Sequence, residues 1–526
     1  MIPKIIHQTW RDHNLPGPKA WAESWKRQNP DWEYRFWTDD DLLALVQTHY
    51  PELEKLFQSY PRPVQRADMA RYLILHHHGG VYADIDTECM APLDVIADET
   101  RIVFATEPFE HEFQAHRLGM DNMLFNGVMA SPKGHPFWLH VCDAMVRCQH
   151  GKALVLETTG PLLLSGAYRT FPEKDSISVN SCHLFNPLNV KSTASPGPRF
   201  GDYAQVTLCH HYWNNTWWPW SRRTRLKVLE FKLRRLIYRL TRGPVLTRAD
   251  MAPQIDSALL HRPISHEDVQ ISILIPILDT TANLTRCFAL LTQLTYPKDR
   301  LKIVFCQGDC GDDTRAELKE LIATHKHLFR EIEVITLSAN ATNKRVRRWR
   351  PSAQRTRRSN LAKVRNQLVE HGITDDDGWA LWLDVDVCDY AADIIERLLS
   401  EHAKVVTPDC VLDWDGPSYD LSAFNDASER KNLTYYKQVK NGVYMPPATH
   451  LPRRHLHVLR FLDRVPLSSV GGTMLLVHAT VHKAGVQFPE LPYDDLLGTE
   501  GFGRMCRDFG IHPIGLPNVQ IRHVRS

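Results

Sequence analysis

No apolar run in this 526-residue sequence approaches the length needed to cross a bilayer, which is ~20 residues for a helix. Nothing at the start resembles a signal peptide, since MIPKIIHQTW reads at once as a core strand, so no secretory leader is expected. The expectation is a soluble, cytoplasmic protein. Charge of one sign is also lacking: the formal net charge is +2, too small a field to announce a nucleic-acid partner. The eleven cysteines are odd in number and scattered, with no CxxC pair. That excludes a zinc-ribbon pattern and a disulfide framework, and fits reduced thiols.

What is present is globular in character. With 43% hydrophobic and 24% charged residues, the chain can bury sizeable cores, and its length suits two domains of roughly 220 to 260 residues. In the first part KIIHQTW and EYRFWTD read as strands. Helix signals follow over 40–60 and 63–77, then strands at VYADID, IVFATE and NGVMAS. Such alternation predicts an α/β domain with a mainly parallel sheet. The rhythm restarts at ISILIPI and continues through LKIVFCQ, a helix over 312–327 and EVITLS.

Two apolar runs end in the same unusual way. VYADIDT closes on Asp84 and Asp86, and WALWLDVDV on Asp384 and Asp386. Burying a lone carboxylate is costly, so two together at a strand end imply a cationic partner. Residues i and i+2 of an extended segment share a face, which offers both carboxylates to one hard divalent ion such as Mg2+ or Mn2+. Such an ion can neutralise charge developing on a diphosphate leaving group. Asp-x-Asp-x-Thr/Val is also the nucleophile motif of haloacid-dehalogenase-type phosphatases. That fold carries its motif on the first strand, whereas each copy here lies well inside its domain.

The first half resembles glycosyltransferase family 32, through IPKIIHQTW, RADMARYLILHHHGGVYADIDTEC, ETTGPLLLS and CHHYWNNTWW. This family includes Och1-type mannosyltransferases and many capsular-polysaccharide glycosyltransferases. The resemblance implies a GT-A fold, a sugar-nucleotide donor, a divalent metal and retention of anomeric configuration. Carried over by motif, His7, Gln8 and Trp10 lie near the nucleotide, Asp68 and Arg71 hold the donor sugar, and Asp84 and Asp86 bind metal and diphosphate. His211 or His210 completes the metal shell, and Trp217 or Trp218 closes over the donor. Asp68 and Arg71 also lie three apart on a predicted helix, where a simple ion pair is the plainer role.

The second half resembles glycosyltransferase family 62, the Anp1-containing group of mannan-building α-mannosyltransferases. The segments are LTYPKDRLKIVF, LAKVRNQLVEHG, WALWLDVDV, VVTPDC, VGGTMLLVHATVHKAGVQFPE, GTEGFGRMCRDFG and GLPNVQIRHV. It implies a second GT-A fold and a GDP-mannose donor. By motif Arg365 and Asn366 approach the donor, Asp384, Asp386 and His523 bind the metal, and Glu500 faces the reacting sugars or the acceptor. The membrane anchor of those eukaryotic relatives is not expected here.

The expected organisation is two tandem GT-A domains, 1–220 and 269–526, each with its own Mn2+ or Mg2+. They are joined by a basic amphipathic linker helix within 221–268. The expected partners are nucleotide sugars, GDP-mannose in the second domain and GDP- or UDP-sugars in the first, with a growing glycan as acceptor. A different class of function leaves one domain catalytic and the other a glycan-binding or docking module. The linker, SRRTRLKVLEFKLRRLIYRLTRG, has nine basic residues and one acidic. Its leucines recur every three or four positions, so 222–242 suits either packing between domains or contact with an anionic membrane.

Overall fold

A computed structural model describes residues 1–14, 19–149, 154–213, 225–265, 269–277, 281–307, 312–336, 351–374, 378–428, 431–447 and 450–525. The chain divides into two compact units, one of residues 1–221 with 458–462, the other of 222–457 with 463–526.

The first unit is built on a six-stranded sheet of Ile5–Thr9 (β1), Glu33–Trp37 (β2), Gly80–Ala83 (β3), Ile102–Ala105 (β5), Val128–Ser131 (β6) and Ile177–Asn180 (β7), in the order β2-β1-β3-β6-β5-β7. A separate antiparallel pair joins Thr87–Cys89 (β4) to Cys209–His211 (β8). Strands β1, β2 and β3 run parallel, and β6 enters antiparallel to β3. Val81, Ala83, Val103, Val128 and Ala130 are buried in the core, as expected of a sheet covered on both faces.

The second unit repeats the plan with one more strand on the parallel side. Its sheet holds Ile271–Ile277 (β9), Leu301–Gln307 (β10), Glu331–Thr336 (β11), Trp379–Leu383 (β12), Val387–Asp389 (β13) and Val405–Val411 (β14). Two short antiparallel pairs stand apart, Phe424–Asp426 (β15) with Arg453–His455 (β18) and Val439–Lys440 (β16) with Val443–Tyr444 (β17). Val465–Pro466 (β19), Met474–His478 (β20) and Ile514–His523 (β21) complete the sheet, whose order is β11-β10-β9-β12-β20-β14-β21-β13 with β19 beside β21. Here β9 to β12 are parallel and β20 enters antiparallel to β12. The fold is thus two α/β units, in each of which an antiparallel strand borders the strand that leads into the Asp pair.

Two sequence expectations change in detail. The helix signal over 40–60 resolves into Asp39–His49, a 3-10 turn at Pro51–Leu53 and Glu54–Ser59. Pro51 lacks an amide hydrogen and pushes Tyr50 out of helical geometry, to φ −141°. The basic helix occupies Arg225–Thr241 and clusters with the second unit. Gly243, at φ +67°, and Pro244 stop it, and the rest of the expected linker forms short turns at Arg248–Met251 and Ser257–Leu260.

Candidate functional site

Each Asp pair sits in the same local construction. Strand β3 ends at Ala83, Asp84–Asp86 turn, and β4 leaves at Thr87; strand β12 ends at Leu383, Asp384–Asp386 turn, and β13 leaves at Val387. The turns close through Thr87 N–H to Asp84 C=O (3.1 Å) and Val387 N–H to Asp384 C=O (3.0 Å). The first Asp of each pair donates its amide to the segment entering the antiparallel strand, Gly127 C=O at 2.7 Å and Thr473 C=O at 2.8 Å. A late strand then brings a histidine opposite the residue after the turn: His211 pairs with Thr87, and His523 with Val387.

In the first unit the three side chains converge. His211 Nε2 lies 3.1 Å from Asp86 Oδ1, and ligand atoms of Asp84, Asp86 and His211 fall within 4.8 Å of one another. Asp84 keeps 25% of its side-chain surface open, so the group is reachable from solvent. Burial holds the Asp84 carboxyl above its usual range, opposed by Arg71 and reinforced by Asp86. For His211 burial acts to lower the imidazole, but Asp86 carries the net shift upward. Its Nδ1 is buried with no hydrogen-bond partner among the described residues. Carboxylate oxygens from two aspartates and one imidazole nitrogen, gathered at this spacing, fit a hard divalent cation of the Mn2+ or Mg2+ type.

The helix Pro63–His78 supplies the supporting charge. Arg71 bridges Asp68 Oδ1 (3.1 Å) and Asp84 Oδ1 (3.2 Å), lies over the Tyr82 ring and donates to Asn126 C=O (2.8 Å). Asp68 also accepts from Thr159 Oγ1 (2.8 Å) and Asn126 Nδ2 (3.1 Å), while burial pushes its carboxyl up to about 6 against the pull of Arg71. The plain intrahelical ion pair therefore forms, and Arg71 in addition reaches the carboxylate turn. Tyr82 donates to Asp84 Oδ1 (2.9 Å). Gly127 makes the approach feasible, since a Cβ there would stand 2.4 Å from the Phe125 ring and 2.9 Å from Asp84 Oδ2.

Of the expected nucleotide-side residues, Gln8 donates to Asp84 C=O (3.1 Å) and accepts from Tyr34 (2.7 Å), so it braces the turn. His7 is fully buried between Gly79 C=O (2.9 Å) and Trp37 Nε1 (3.2 Å), and burial lowers its imidazole to about 3. Trp10 follows β1, with its indole N–H buried and without a hydrogen-bond partner among the described residues. His210 lies opposite Glu88 and does not join the cluster. Trp217 and Trp218 lie outside the described residues.

The second unit holds the same carboxylates differently. Asp386 accepts from Asn283 Nδ2 (2.6 Å). Burial, then Asp386, raises the Asp384 carboxyl, with His523 and Arg365 opposing. Arg365 is itself lowered by burial against the charges of Asp384 and Asp420. His523 places Nδ1 2.8 Å from Val524 C=O, an arrangement that leaves Nε2 as the potential ligand atom. Among the described residues, Asp384, Asp386 and His523 do not gather to the spacing seen in the first unit. Glu500 is buried between Arg358 (3.2 Å) and Arg453 (3.1 Å). Asn366 exchanges both amide groups with the Phe488 backbone at 2.9 Å.

Sequence reasoning passed over Tyr82, Asn126, Thr159, Asn283 and Asp420. Thr159 lies in the quoted ETTG segment and Asn126–Gly127 in the NGVMAS strand start. Asp420, which accepts from Gly472 N–H at 2.7 Å, lies in no motif.

With this geometry in place, comparison with known proteins defines a class. Residues 19–103 match the family described as glycosyltransferase sugar-binding region containing DXD motif, and residues 260–492 match Anp1. The chain therefore carries, in tandem, a DXD glycosyltransferase-like segment and an Anp1-like one. Among particular proteins, it is 36% identical over 185 residues to inositol phosphoceramide mannosyltransferase 3 of Schizosaccharomyces pombe, covering 33% of this chain and 48% of that protein. It is 27% identical over 277 residues to the mannan polymerase II complex anp1 subunit of the same yeast, covering 48% of this chain and 64% of that one. The chain thus spans about half to two thirds of the length of these relatives. No helix among the described residues is long and apolar enough to cross a membrane.

Proposed function

We propose that each unit is a metal-dependent, retaining glycosyltransferase that passes a sugar from a nucleotide donor to a hydroxyl of a growing glycan. The observation that carries this reading is the duplicated Asp-x-Asp turn, set twice beside an antiparallel strand and twice opposite a histidine. The names of the two relatives, a mannosyltransferase and a mannan polymerase subunit, point to mannose, with GDP-mannose assigned to the second unit and a GDP- or UDP-sugar to the first.

Asp84, Asp86 and His211 would hold the cation of the first unit, and Asp384, Asp386 and His523 that of the second. The bound ion would supply Lewis-acid neutralisation of the diphosphate. The residues around it fix geometry. Arg71, Tyr82 and Gln8 hold the first turn in one orientation, so that little reorganisation is needed when charge develops. Glu500, held by Arg358 and Arg453, would face the reacting sugars or the acceptor. No residue of the sequence stands out as a nucleophile, and we favour attack of the acceptor hydroxyl from the leaving-group face, with the departing phosphate as base. Trapping a glycosyl adduct on a protein carboxylate would overturn that route.

A second reading, in which the second unit binds glycan without turnover, draws support from its ungathered ligand set. The deciding measurement is GDP and UDP release from a panel of sugar nucleotides, with Mn2+ or EDTA, by the wild type and by Asp84→Ala/Asp86→Ala and Asp384→Ala/Asp386→Ala. Two separately abolished, metal-dependent activities establish two transferases. Release that depends on the first pair alone makes the second unit a binding module, and release indifferent to both pairs refutes the assignment.

A further inference from the structure

Among the described residues, the helix Arg225–Thr241 packs through the face that carries Glu230, Phe231 and Tyr238. Phe231 and Tyr238 lie against Tyr436, with ring centroids 5.6 and 5.2 Å apart, and Tyr238 donates to Asp495 at 2.8 Å. The single acidic residue of the helix, Glu230, pairs with Lys437 at 2.7 Å. Leu229, Leu233, Leu236 and Leu240, spaced by four, three and four, share a different face and stand 65%, 55%, 53% and 77% exposed. A helix already docked has no need of a second leucine stripe in water, so the stripe calls for an occupant.

The surroundings say which. Lys232, Arg235 and Arg239 border the stripe on one side, all exposed. On the other side Ile237, 43% exposed, marks the rim of a cavity of about 220 Å³. Its lining includes Arg234, Arg242, Lys437 and Lys440, with Tyr238 and Tyr436, and no carboxylate. Leucines flanked on both sides by cations match an acyl boundary beneath a layer of anionic headgroups. A second copy of the same helix would set like charge against like charge.

We infer that this helix seats the protein on an anionic phospholipid surface, with the leucines in the acyl boundary and a phosphate-bearing headgroup in the cationic cavity beside Ile237. At 17 residues the helix lies along the interface and does not cross it. The inference is independent of which sugar is transferred or whether both units turn over.

Flotation of the full chain with phosphatidylcholine vesicles, with and without phosphatidylglycerol, tests it. The wild type should float with the anionic vesicles at low salt, bind neutral ones at least ~10-fold more weakly, and be released as salt rises. Leu233→Ser/Leu236→Ser/Leu240→Ser should lose flotation while keeping its circular dichroism, because each of these side chains is more than half exposed in the free protein. Arg234→Gln and Lys440→Gln, which leave the stripe intact, should each lower binding to anionic vesicles roughly fivefold without affecting neutral ones. Absence of flotation, equal binding to both vesicle types, or cation variants indistinguishable from wild type would overturn the assignment. So would a wild-type dimer that the leucine variant converts to monomer, which would make a second copy the occupant.

Discussion

The two carboxylate turns share a backbone and differ in what balances their charge. In the first unit Arg71 touches Asp84 at 3.2 Å and His211 touches Asp86 at 3.1 Å. In the second an amide, Asn283, holds Asp386 at 2.6 Å, and His523 turns one nitrogen to its neighbour's carbonyl. The sheet therefore decides where the carboxylates stand, while nearby side chains decide how far their mutual repulsion is already relieved. On the reading proposed above, the first group already stands at the spacing of a cation site, whereas the second would have to draw His523 and the carboxylates together. The comparison breaks most sharply in the paired substitutions. Asp84→Ala/Asp86→Ala should cost at least ~1,000-fold in nucleotide release by the first unit and leave the second unchanged, with Asp384→Ala/Asp386→Ala doing the reverse. Losses of that size follow from removing preorganised charge at a reacting diphosphate.

The histidines give the next largest effect. His211→Ala should weaken Mn2+ binding to the first site ~100-fold, and His523→Ala should weaken the second site ~10-fold, as read by calorimetric titration of the metal. Equal losses would mean that the second site closes to the geometry of the first once the ion is bound. Unchanged affinity in His211→Ala would remove the imidazole from the ligand set.

Much of this arrangement was legible in the sequence because it is carried by short local patterns. An apolar run ending in Asp-x-Asp announces a strand and its turn together, and its repetition announced two units of one fold class. The pair His210–His211 was accessible because it lies in a compact motif, CHHYWNNTWW, but only the pairing with Thr87 and Glu88 separates the two. The supporting network was not legible, because Arg71 meets Asn126 and Asp68 meets Thr159 across 55 and 91 residues of chain. No periodicity encodes such a meeting. Asp420 shows the same limit, since its partners Gly472 and Thr473 lie about fifty residues away. The broken helix over 40–60 is of another kind: Pro51 was visible, and the hydrophobic periodicity on both sides of it overrode the signal.

Glycine positions sharpen the comparison at smaller cost. Gly127→Ala would drive a methyl into the Phe125 ring and against Asp84, and overpacking of this kind costs about 1–3 kcal/mol. Gly472→Ala would meet Arg365 Nη2 at 2.6 Å, the far end of a side chain that can give way. Urea denaturation should therefore show the larger loss for Gly127→Ala, and Gly472→Ala should show its effect mainly in the KM for the donor.

The smallest effect concerns the opening strands, where β1 carries a buried histidine and β9, ISILIPI, carries none. Burial holds the His7 imidazole at about 3, whereas the unfolded chain takes up that proton near 6.5. Between those values the unfolded state binds the extra proton, so stability from this group is complete above pH 6.5 and declines as the pH falls toward 3. The decline is about 1 kcal/mol over the first pH unit. His78, lowered to about 4 by burial and then by Arg35, acts in the same direction, so only the difference in slope between wild type and His7→Gln isolates this share. Urea midpoints measured from pH 7 to pH 5 should fall more steeply in the wild type. In parallel, the NMR resonance of the His7 ring should stay that of a neutral imidazole throughout. A ring that titrates near 6.5 would mean that β1 opens to solvent beside the carboxylate turn, and that Gln8 no longer braces Asp84 as described.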